Sequence, residues 1–328
     1  MMDSIIHTQG DVDSPLTPLI LIHAISGLAL PYCALGKLFD DDRAVYAISS
    51  PLLNTTGGKV EKFIPKSISQ LAALYIKLIK AEIQPKGPYL LGGWSFGGVL
   101  AAEMANILLA EGEEVQHVFM IDSTNPGHYP TFSDSIEHKT ITALTYNAMA
   151  ERVGGTEVPI WEESIDPRSS VSSESTSYTS SDRHLRDDIG SGADSRSSGS
   201  SHLSSSEQED DDDDDLFDTF SMLKDIRSHI GYGLQLMSLS EGIEVPRSGC
   251  TLIRCKVRLP PAQVIRDGRR RWIQKMQQET FLGWETKEDE GLMSLDFLEA
   301  TSHDQCFDPG HVNDLTEVLR GAIEKVGV

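Results

Sequence analysis

The segment GPYLLGGWSFGG, from Gly87 to Gly98, decides the fold. Its first half is an apolar run typical of a buried strand, and residues 99–110 after it have the composition of a helix. Between them stands GWSFG, residues 93–97. Glycine on both sides of the serine lets the strand and the helix approach each other closely. The segment therefore predicts strand, sharp turn and helix, with Ser95 exposed at the apex of the turn.

The rest of the chain alternates between candidate strands and candidate helices. Strands are predicted at residues 19–23, 43–48, 89–91, 115–121, 250–257 and 295–299. Helices are predicted at residues 31–38, 68–83, 99–110, 136–152, 216–239, 263–278 and 312–323. This alternation indicates a mostly parallel sheet flanked by helices. A G-x-S-x-G turn between strand and helix in such a sheet is the nucleophile elbow of the α/β-hydrolase fold, which we therefore expect.

The domain boundaries follow from breaks in the alternation. Residues 1–18 are polar and predict an N-terminal tail, and residues 19–130 and 244–328 form the α/β core. Residues 131–243 interrupt the core and are predicted to be a helical lid insertion over the active site. Within the insertion, residues 164–215 contain 18 serines and 14 acidic residues against 4 arginines. We expect this stretch to be disordered, because it has too few apolar side chains to offset the entropy of ordering.

Composition excludes several classes of protein. The net charge of -22 argues against nucleic acid as a partner. The four cysteines have neither disulfide nor metal-ligand spacing, so we expect reduced, buried thiols and no metal site. The N-terminal residues contain no apolar signal region, and no apolar run reaches the length of a membrane span. These features predict a soluble, cytoplasmic protein without a membrane partner.

A serine nucleophile needs a histidine base, which is normally oriented by a carboxylate. In the expected fold the chain order is serine, acid, histidine, and each residue follows the C-terminal end of a strand. Of the ten histidines, only His303 and His311 follow the last predicted strand. His303 lies in the loop before the last helix and is the predicted base. His311 opens that helix, where a capping or surface role suits it better.

Two aspartates compete for the place of the acid. Asp122 follows its strand directly, whereas Asp267 lies well beyond the strand at residues 250–257, in an arginine-rich helix. We predict Asp122, and the alternative role for this residue is a cap or a turn. The oxyanion hole requires two backbone N–H groups. Phe96, which follows the nucleophile, is expected to supply one, and Ile25, in the turn after the first strand, the other.

Four segments together resemble the thioesterase domains of polyketide and nonribosomal peptide synthetases. They are LIHAISG at residues 21–27, GGWSFGG at 92–98, MIDS at 120–123 and HDQCFDPGHV at 303–312. The resemblance covers about residues 18–128 and 250–328. It implies an acid about 27 residues after the serine, which is the separation between Ser95 and Asp122. At the base, members commonly have Gly-Asp-His where this chain has Thr-Ser-His.

The resemblance implies the chemistry of an acyl thioesterase, a hydrolase that works through a serine acyl-enzyme in secondary metabolism. In that family the acyl chain arrives on the phosphopantetheine of an acyl or peptidyl carrier protein, and the enzyme itself binds no cofactor. The product is released to water or to an internal nucleophile. Because no synthetase modules are attached, we expect a free-standing enzyme acting in trans, in product release or in clearing misloaded carriers.

One dense basic cluster is a candidate for docking the acidic carrier or the pantetheine phosphate. Its members are Arg266, Arg269, Arg270, Arg271 and Lys275. The alternatives are a solvated helix face and an intramolecular tether for the acidic run at residues 210–215.

Two other functions remain open on the same fold. One is a carboxylesterase or lipase that acts on oxygen esters. The other is a non-catalytic interaction protein that uses the acidic insertion as a phosphorylatable tail.

Overall fold

The computed structural model describes residues 4–53, 64–150, 154–160, 211–284 and 291–328, with the backbone alone over 211–220. The chain divides into two units. One consists of residues 1–162 and 220–328, and the other of residues 163–219. In the second unit, the described part is the helical backbone of residues 211–219. The first unit contains the sheet and the candidate site.

Within the described residues, seven strands form one sheet. They are β1 (Ile5–Gln9), β2 (Leu19–Ile22), β3 (Val45–Ile48), β4 (Tyr89–Trp94), β5 (Val115–Ile121), β6 (Cys250–Cys255) and β7 (Met293–Leu298). Their order across the sheet is β1-β3-β2-β4-β5-β6-β7. The strand β1 is antiparallel to β3, and the other neighbouring strands are parallel. The predicted mostly parallel sheet is therefore confirmed.

Helices cover both faces of this sheet. They are α1 (Ile68–Glu82), α2 (Phe96–Ala110), α3 (Ser135–Asn147), α4 (Asp211–Ser238), α5 (Asp267–Gln278) and α6 (Val312–Val326). Side chains alternate between the faces along each strand. In β2, Ile20 and Ile22 pack in the cluster that contains α1 and α2, and Leu19 and Leu21 pack in the cluster that contains α6. Each fully buried side chain of this size stabilises the fold by about 1.5–3 kcal/mol.

The prediction of a tail at residues 1–18 is wrong for Ile5–Gln9, which forms the edge strand β1. An edge strand has one neighbour and stays partly exposed, so it can contain polar residues, and these made the strand hard to recognise in the sequence.

The Gln9 side chain also forms hydrogen bonds with the backbone of Leu35, Gly36 and Leu38. The backbone of these three residues bonds Gln9 instead of forming the hydrogen bonds of a regular helix. The helix predicted at residues 31–38 is therefore only a short 3₁₀ turn, Leu30–Ala34.

The helix α4 begins at Asp211, five residues before its predicted start. Residues 211–215 are therefore helical, which corrects the prediction that disorder extends to residue 215. Acidic residues suit the first turn of a helix, because the N-terminal end of the helix dipole is positive. The remainder of the predicted disordered stretch, residues 164–210, lies outside the described residues.

The helices of the predicted lid pack against each other. Their shared apolar cluster includes Ile141 and Tyr146 of α3 with Ile226, Ile230 and Leu234 of α4. The ring of His138 donates from Nε2 to the carbonyl of Gly231 at 2.7 Å, which joins α3 to α4. Their movement as a lid stays a prediction.

All four cysteines are free thiols, as expected. Three of them are buried, whereas Cys33 is exposed, which corrects the expectation that every thiol is buried. Among the helices of the described ranges, none combines the length and the apolar character that a membrane span needs.

Candidate active site

Ser95 occupies a strained turn between β4 and α2. Its backbone has φ 56° and ψ −119°, outside the regions that residues with a side chain prefer. The flanking glycines are required by close approach. A Cβ on Gly97 would lie 2.1 Å from the carbonyl oxygen of Ile22, and one on Gly93 would lie 2.3 Å from the backbone carbon of Gly97. The N–H of Ser95 donates to the Ile121 carbonyl at 2.8 Å, which fixes the apex above the sheet.

The structure brings Ser95, His303 and Asp122 together. The Nε2 atom of His303 lies 3.0 Å from Ser95 Oγ, and Nδ1 lies 2.8 Å from Asp122 Oδ2. A carboxylate accepts, so Nδ1 carries the proton of the neutral ring, and Nε2 of that neutral ring is left to accept from the serine hydroxyl. The second carboxylate oxygen, Oδ1, accepts the N–H of Cys255 at 3.0 Å. With both oxygens bonded, the carboxylate fixes the plane and the tautomer of the imidazole.

The charge of Asp122 governs the protonation of His303. Burial lowers the pKa of the imidazole, but the hydrogen bond and the charge of Asp122, with a smaller contribution from Asp304, outweigh burial and raise the pKa to about 9. The side chain of His303 is 40 % exposed and that of Asp122 is 12 % exposed. Solvent therefore reaches the histidine and screens part of this interaction, while the carboxylate stays largely covered.

The two rival residues are placed elsewhere. His311 stands at the N-cap of α6, and its Nδ1 atom lies 3.2 Å from the Thr301 hydroxyl. Asp267 is exposed at the start of α5 and pairs with Arg270. Neither residue contacts the serine or the histidine in the described structure.

The two residues predicted to supply the oxyanion donors have side chains that border the same glycine. Phe96 is the first residue of α2, where N–H groups have no helical acceptor. Ile25 belongs to the turn of residues 24–27, which we call the oxyanion turn. Both side chains border Gly233 of α4, since a Cβ built there would lie 2.9 Å from Ile25 Cγ1 and 3.7 Å from Phe96 Cε1. The roles of the two N–H groups stay predictions.

The basic cluster is largely engaged within the chain. Arg269 is only 3 % exposed, and its Nε donates to Glu137 of α3 at 2.8 Å, so it has no surface to offer a partner. Arg266 pairs with Asp134 at 2.7 Å. The docking hypothesis is therefore wrong for Arg269. Intramolecular tethering to Asp134 and to Glu137 of α3 is observed. A tether to the acidic run at residues 210–215 stays a prediction, because the side chains of that run lie outside the described part of the chain.

A cavity of about 250 Å³ opens beside the histidine and the aspartate. It is bordered by residues 257–261, which follow β6, and by Ser302 and Asp304 around the histidine. The cavity provides room next to the predicted base.

Sequence reasoning missed three contributors to the site. The N–H of Cys255 supports Asp122, and a backbone donor leaves no trace in residue type. The Tyr32 hydroxyl donates to the Ile22 carbonyl at 2.6 Å and accepts the N–H of Trp94 at 2.7 Å, which joins the ends of β2 and β4. His229 of α4 bonds the Ile25 carbonyl at 3.0 Å. The sequence did contain a signal for His229, because this polar residue lies within the apolar face of a predicted helix.

A mostly parallel sheet, a serine at the elbow, an acid after β5 and a histidine after β7 define an α/β-hydrolase. The fold agrees with that of the NocB thioesterase domain in its covalent complex with a fluorophosphonate nocardicin G analogue. The TM-score is 0.57 at 18 % identity, over 97 % of this chain and 99 % of that one.

The Thioesterase domain family model matches residues 17–225, more than half of the chain. The chain is 40 % identical to Thioesterase pytI of Aspergillus terreus, over 99 % of this chain and 100 % of that protein. It is also 42 % identical over 123 residues to the non-reducing polyketide synthase atnG of Arthrinium sp, a match that covers 37 % of this chain and 6 % of the synthase. The chain belongs to the thioesterase domain family and is an enzyme that hydrolyses thioesters.

Proposed function

We propose that this thioesterase removes an acyl chain from the phosphopantetheine arm of a carrier protein, through an acyl-enzyme on Ser95. The observation that carries the proposal is the continuous relay from Ser95 Oγ through His303 to Asp122, with contacts of 3.0 and 2.8 Å. A serine hydroxyl is a weak nucleophile until a base removes its proton, and this relay supplies that base.

Acylation begins when Ser95 Oγ attacks the thioester carbonyl carbon. His303 Nε2 takes the hydroxyl proton, and Asp122 stabilises the imidazolium that forms. The carbonyl oxygen becomes an oxyanion, which accepts hydrogen bonds from the N–H groups of Phe96 and Ile25. A fixed pair of donors favours the tetrahedral intermediate over the planar thioester.

The intermediate collapses when the C–S bond breaks. The pantetheine thiol leaves with the proton that His303 held, and the acyl group remains esterified to Ser95. Water then enters, gives a proton to His303 and attacks the ester. Breaking the ester bond releases the carboxylic acid and returns the proton to the serine. A hydroxyl of the acyl chain in place of water gives a cyclic product by the same steps.

Support for polyketide biosynthesis comes from the similarity to a non-reducing polyketide synthase. The phosphopantetheine belongs to the substrate in this proposal, and the chain's own groups supply all of the acid–base chemistry.

The test compares the wild type with Ser95→Ala on a hexanoyl-loaded acyl carrier protein and on matched hexanoyl thioesters and oxygen esters. We expect the wild type to prefer the thioesters, and Ser95→Ala to lose turnover while its melting temperature is kept. Ser135→Ala, at an exposed serine of α3, is the matched control and is expected to keep full activity. A clear preference for the oxygen esters would favour the carboxylesterase function, and no turnover of either ester would favour the interaction protein.

A further inference from the structure

The oxyanion turn lies between two buried histidines that the mechanism above does not use. His23 directly follows β2 and is fully buried, and His229 belongs to α4 and is 4 % exposed. Their ring centroids are 5.2 Å apart. In each ring, one nitrogen forms a hydrogen bond with a carbonyl of the turn, and the other forms one with a buried hydroxyl. These hydrogen bonds determine the tautomer of each ring.

His23 orients the first peptide of the turn. Its Nδ1 atom lies 2.5 Å from the Ala24 carbonyl oxygen, which can only accept, so Nδ1 donates and Nε2 accepts from the Tyr75 hydroxyl. The same carbonyl also accepts the N–H of Gly27 at 3.0 Å. The C=O of Ala24 and the N–H of Ile25 belong to one planar trans peptide and point in opposite directions. Fixing the carbonyl therefore aims the Ile25 N–H.

His229 orients the next peptide in the same manner. Its Nδ1 atom donates to the Ile25 carbonyl at 3.0 Å, and its Nε2 atom accepts from the Ser50 hydroxyl at 2.8 Å. Burial lowers the pKa of His229 to about 4 and that of His23 to about 3, so both rings are neutral near pH 7. His23 belongs to the core, whereas His229 lies on α4 of the predicted lid insertion, 204 residues after Ile25.

The packing places one face of α4 directly on the turn. His229 and Gly233 are one helical turn apart and share that face. A Cβ on Gly27 would lie 3.1 Å from His229 Cγ, and a Cβ on Gly233 would lie 2.9 Å from Ile25 Cγ1. Glycines at both points of contact leave the helix no room to shift toward the turn, so the position of α4 and that of Ile25 are linked.

We propose that His229 is a positioning residue that couples the docking of α4 to the orientation of the oxyanion turn. His23 holds the peptide that carries the Ile25 N–H, and His229 holds the peptide that follows it. Ile25 is therefore restrained on both sides when α4 is docked and loses one of the two restraints when α4 moves away, which leaves the second oxyanion donor less well aimed. His229 acts through Ile25 and does not touch the reacting atoms. This inference rests on the proposed function, in which the Ile25 N–H binds the oxyanion.

The test uses three variants. His229→Leu removes both ring nitrogens at similar volume, and His229→Asn keeps a donor, because the Asn amide nitrogen takes nearly the place of Nδ1. The matched control is His138→Leu, which removes another histidine-to-carbonyl bond of the lid helices without touching the oxyanion turn. The measurements are kcat and KM for hexanoyl-N-acetylcysteamine, and the rate constant for labelling of Ser95 by an alkyl fluorophosphonate.

We expect His229→Leu to lower kcat and the labelling rate together, by up to about 100-fold, with little change in KM, because one oxyanion donor is worth about that much. His229→Asn is expected to recover most of the loss, and His138→Leu to stay near the wild type. The inference is contradicted if His229→Leu changes only KM, or if His138→Leu causes the same loss.

Folding and the proposed function are tested separately. If melting shows that His229→Leu does not fold, Ser50→Ala replaces it, because losing the hydroxyl that orients His229 is expected to lower the labelling rate more mildly. An unchanged rate in a folded Ser50→Ala would then overturn the inference. If the wild type is labelled at Ser95 but hydrolyses no thioester, the proposed function fails, while the labelling rates of the variants still decide the role of His229.

Discussion

Asp122 and His303 lie 181 residues apart in the sequence, yet the carboxylate and the imidazole meet at 2.8 Å. Asp122 directly follows β5, and His303 lies between β7 and α6. Parallel strands bring their C-terminal ends to the same edge of the sheet, which is where the elbow also presents Ser95. The contact selects the tautomer that leaves Nε2 able to accept the serine proton.

Asp122→Asn is expected to lower kcat by about 10⁴ with little change in KM. An amide at this position can donate to Nδ1, which moves the ring proton to Nε2 and removes the base from the serine. Steady-state kinetics on a hexanoyl thioester measure the effect. Asp267→Asn, at the exposed start of α5, is the control and should match the wild type. A loss of less than tenfold in Asp122→Asn would mean that another group orients the histidine.

The activity is expected to rise with pH toward about 9. The pKa of His303 is raised to about 9 because the hydrogen bond and charge of Asp122 outweigh the effect of burial, and only the neutral ring can take the serine proton. The profile of kcat/KM between pH 6 and pH 10, corrected for uncatalysed hydrolysis, reports this value for the free enzyme. A plateau that already begins below pH 6.5 would contradict the raised pKa.

The ion pair of Arg269 and Glu137 is expected to stabilise the fold rather than bind a partner. The two side chains are 2 % and 6 % exposed, and the guanidinium also lies over the rings of Tyr129 and Phe132. Arg269→Ala leaves a buried carboxylate without its partner and should cost about 3–5 kcal/mol in the free energy of unfolding. The control, Arg271→Ala at an exposed position of α5, should stay within about 0.5 kcal/mol. Equal effects in urea unfolding would refute the structural role of Arg269.

Acid is expected to destabilise the protein between about pH 6.5 and pH 4. Burial lowers the pKa of His23 to about 3 and that of His117 and His229 to about 4. In this range the unfolded chain binds protons that the folded chain does not, so the free energy of unfolding falls as pH falls. Each histidine contributes up to about 1.4 kcal/mol per pH unit.

Urea unfolding at several pH values measures that slope. His117→Asn removes one of the three histidines that take up a proton on unfolding. The slope of the free energy of unfolding against pH should therefore become smaller, whatever the variant does to stability at neutral pH. A free energy of unfolding that stays constant from pH 6.5 to pH 4.5 would show that these rings take up protons in the folded state.

The sequence was sufficient for the parts of the site that depend on local pattern and strand order. The turn at Ser95 requires glycine on both sides, so the pattern GWSFG identifies the turn in the sequence. The positions of Asp122 and His303 follow from the rule that catalytic side chains stand at strand ends, and the structure brings both to Ser95.

Other features depend on contacts between distant segments, which no local pattern encodes. The arginines of α5 looked like a free basic surface, but Arg269 is buried because Glu137, 132 residues away, meets it. The strand β1 is short and half-polar, and its pairing with β3 stabilises it. The link between His229 and Ile25 needs the packing of α4 on the turn, which helical periodicity alone does not specify.

The acyl-enzyme on Ser95 is tested most directly by the mass of the intact enzyme after brief mixing with a hexanoyl-loaded acyl carrier protein and an acid quench. We predict a hexanoyl adduct that peptide mapping places on Ser95 and that is absent from Ser95→Ala. A hexanoyl group on another residue, or continued release of hexanoic acid by Ser95→Ala, would contradict the acyl-enzyme on Ser95.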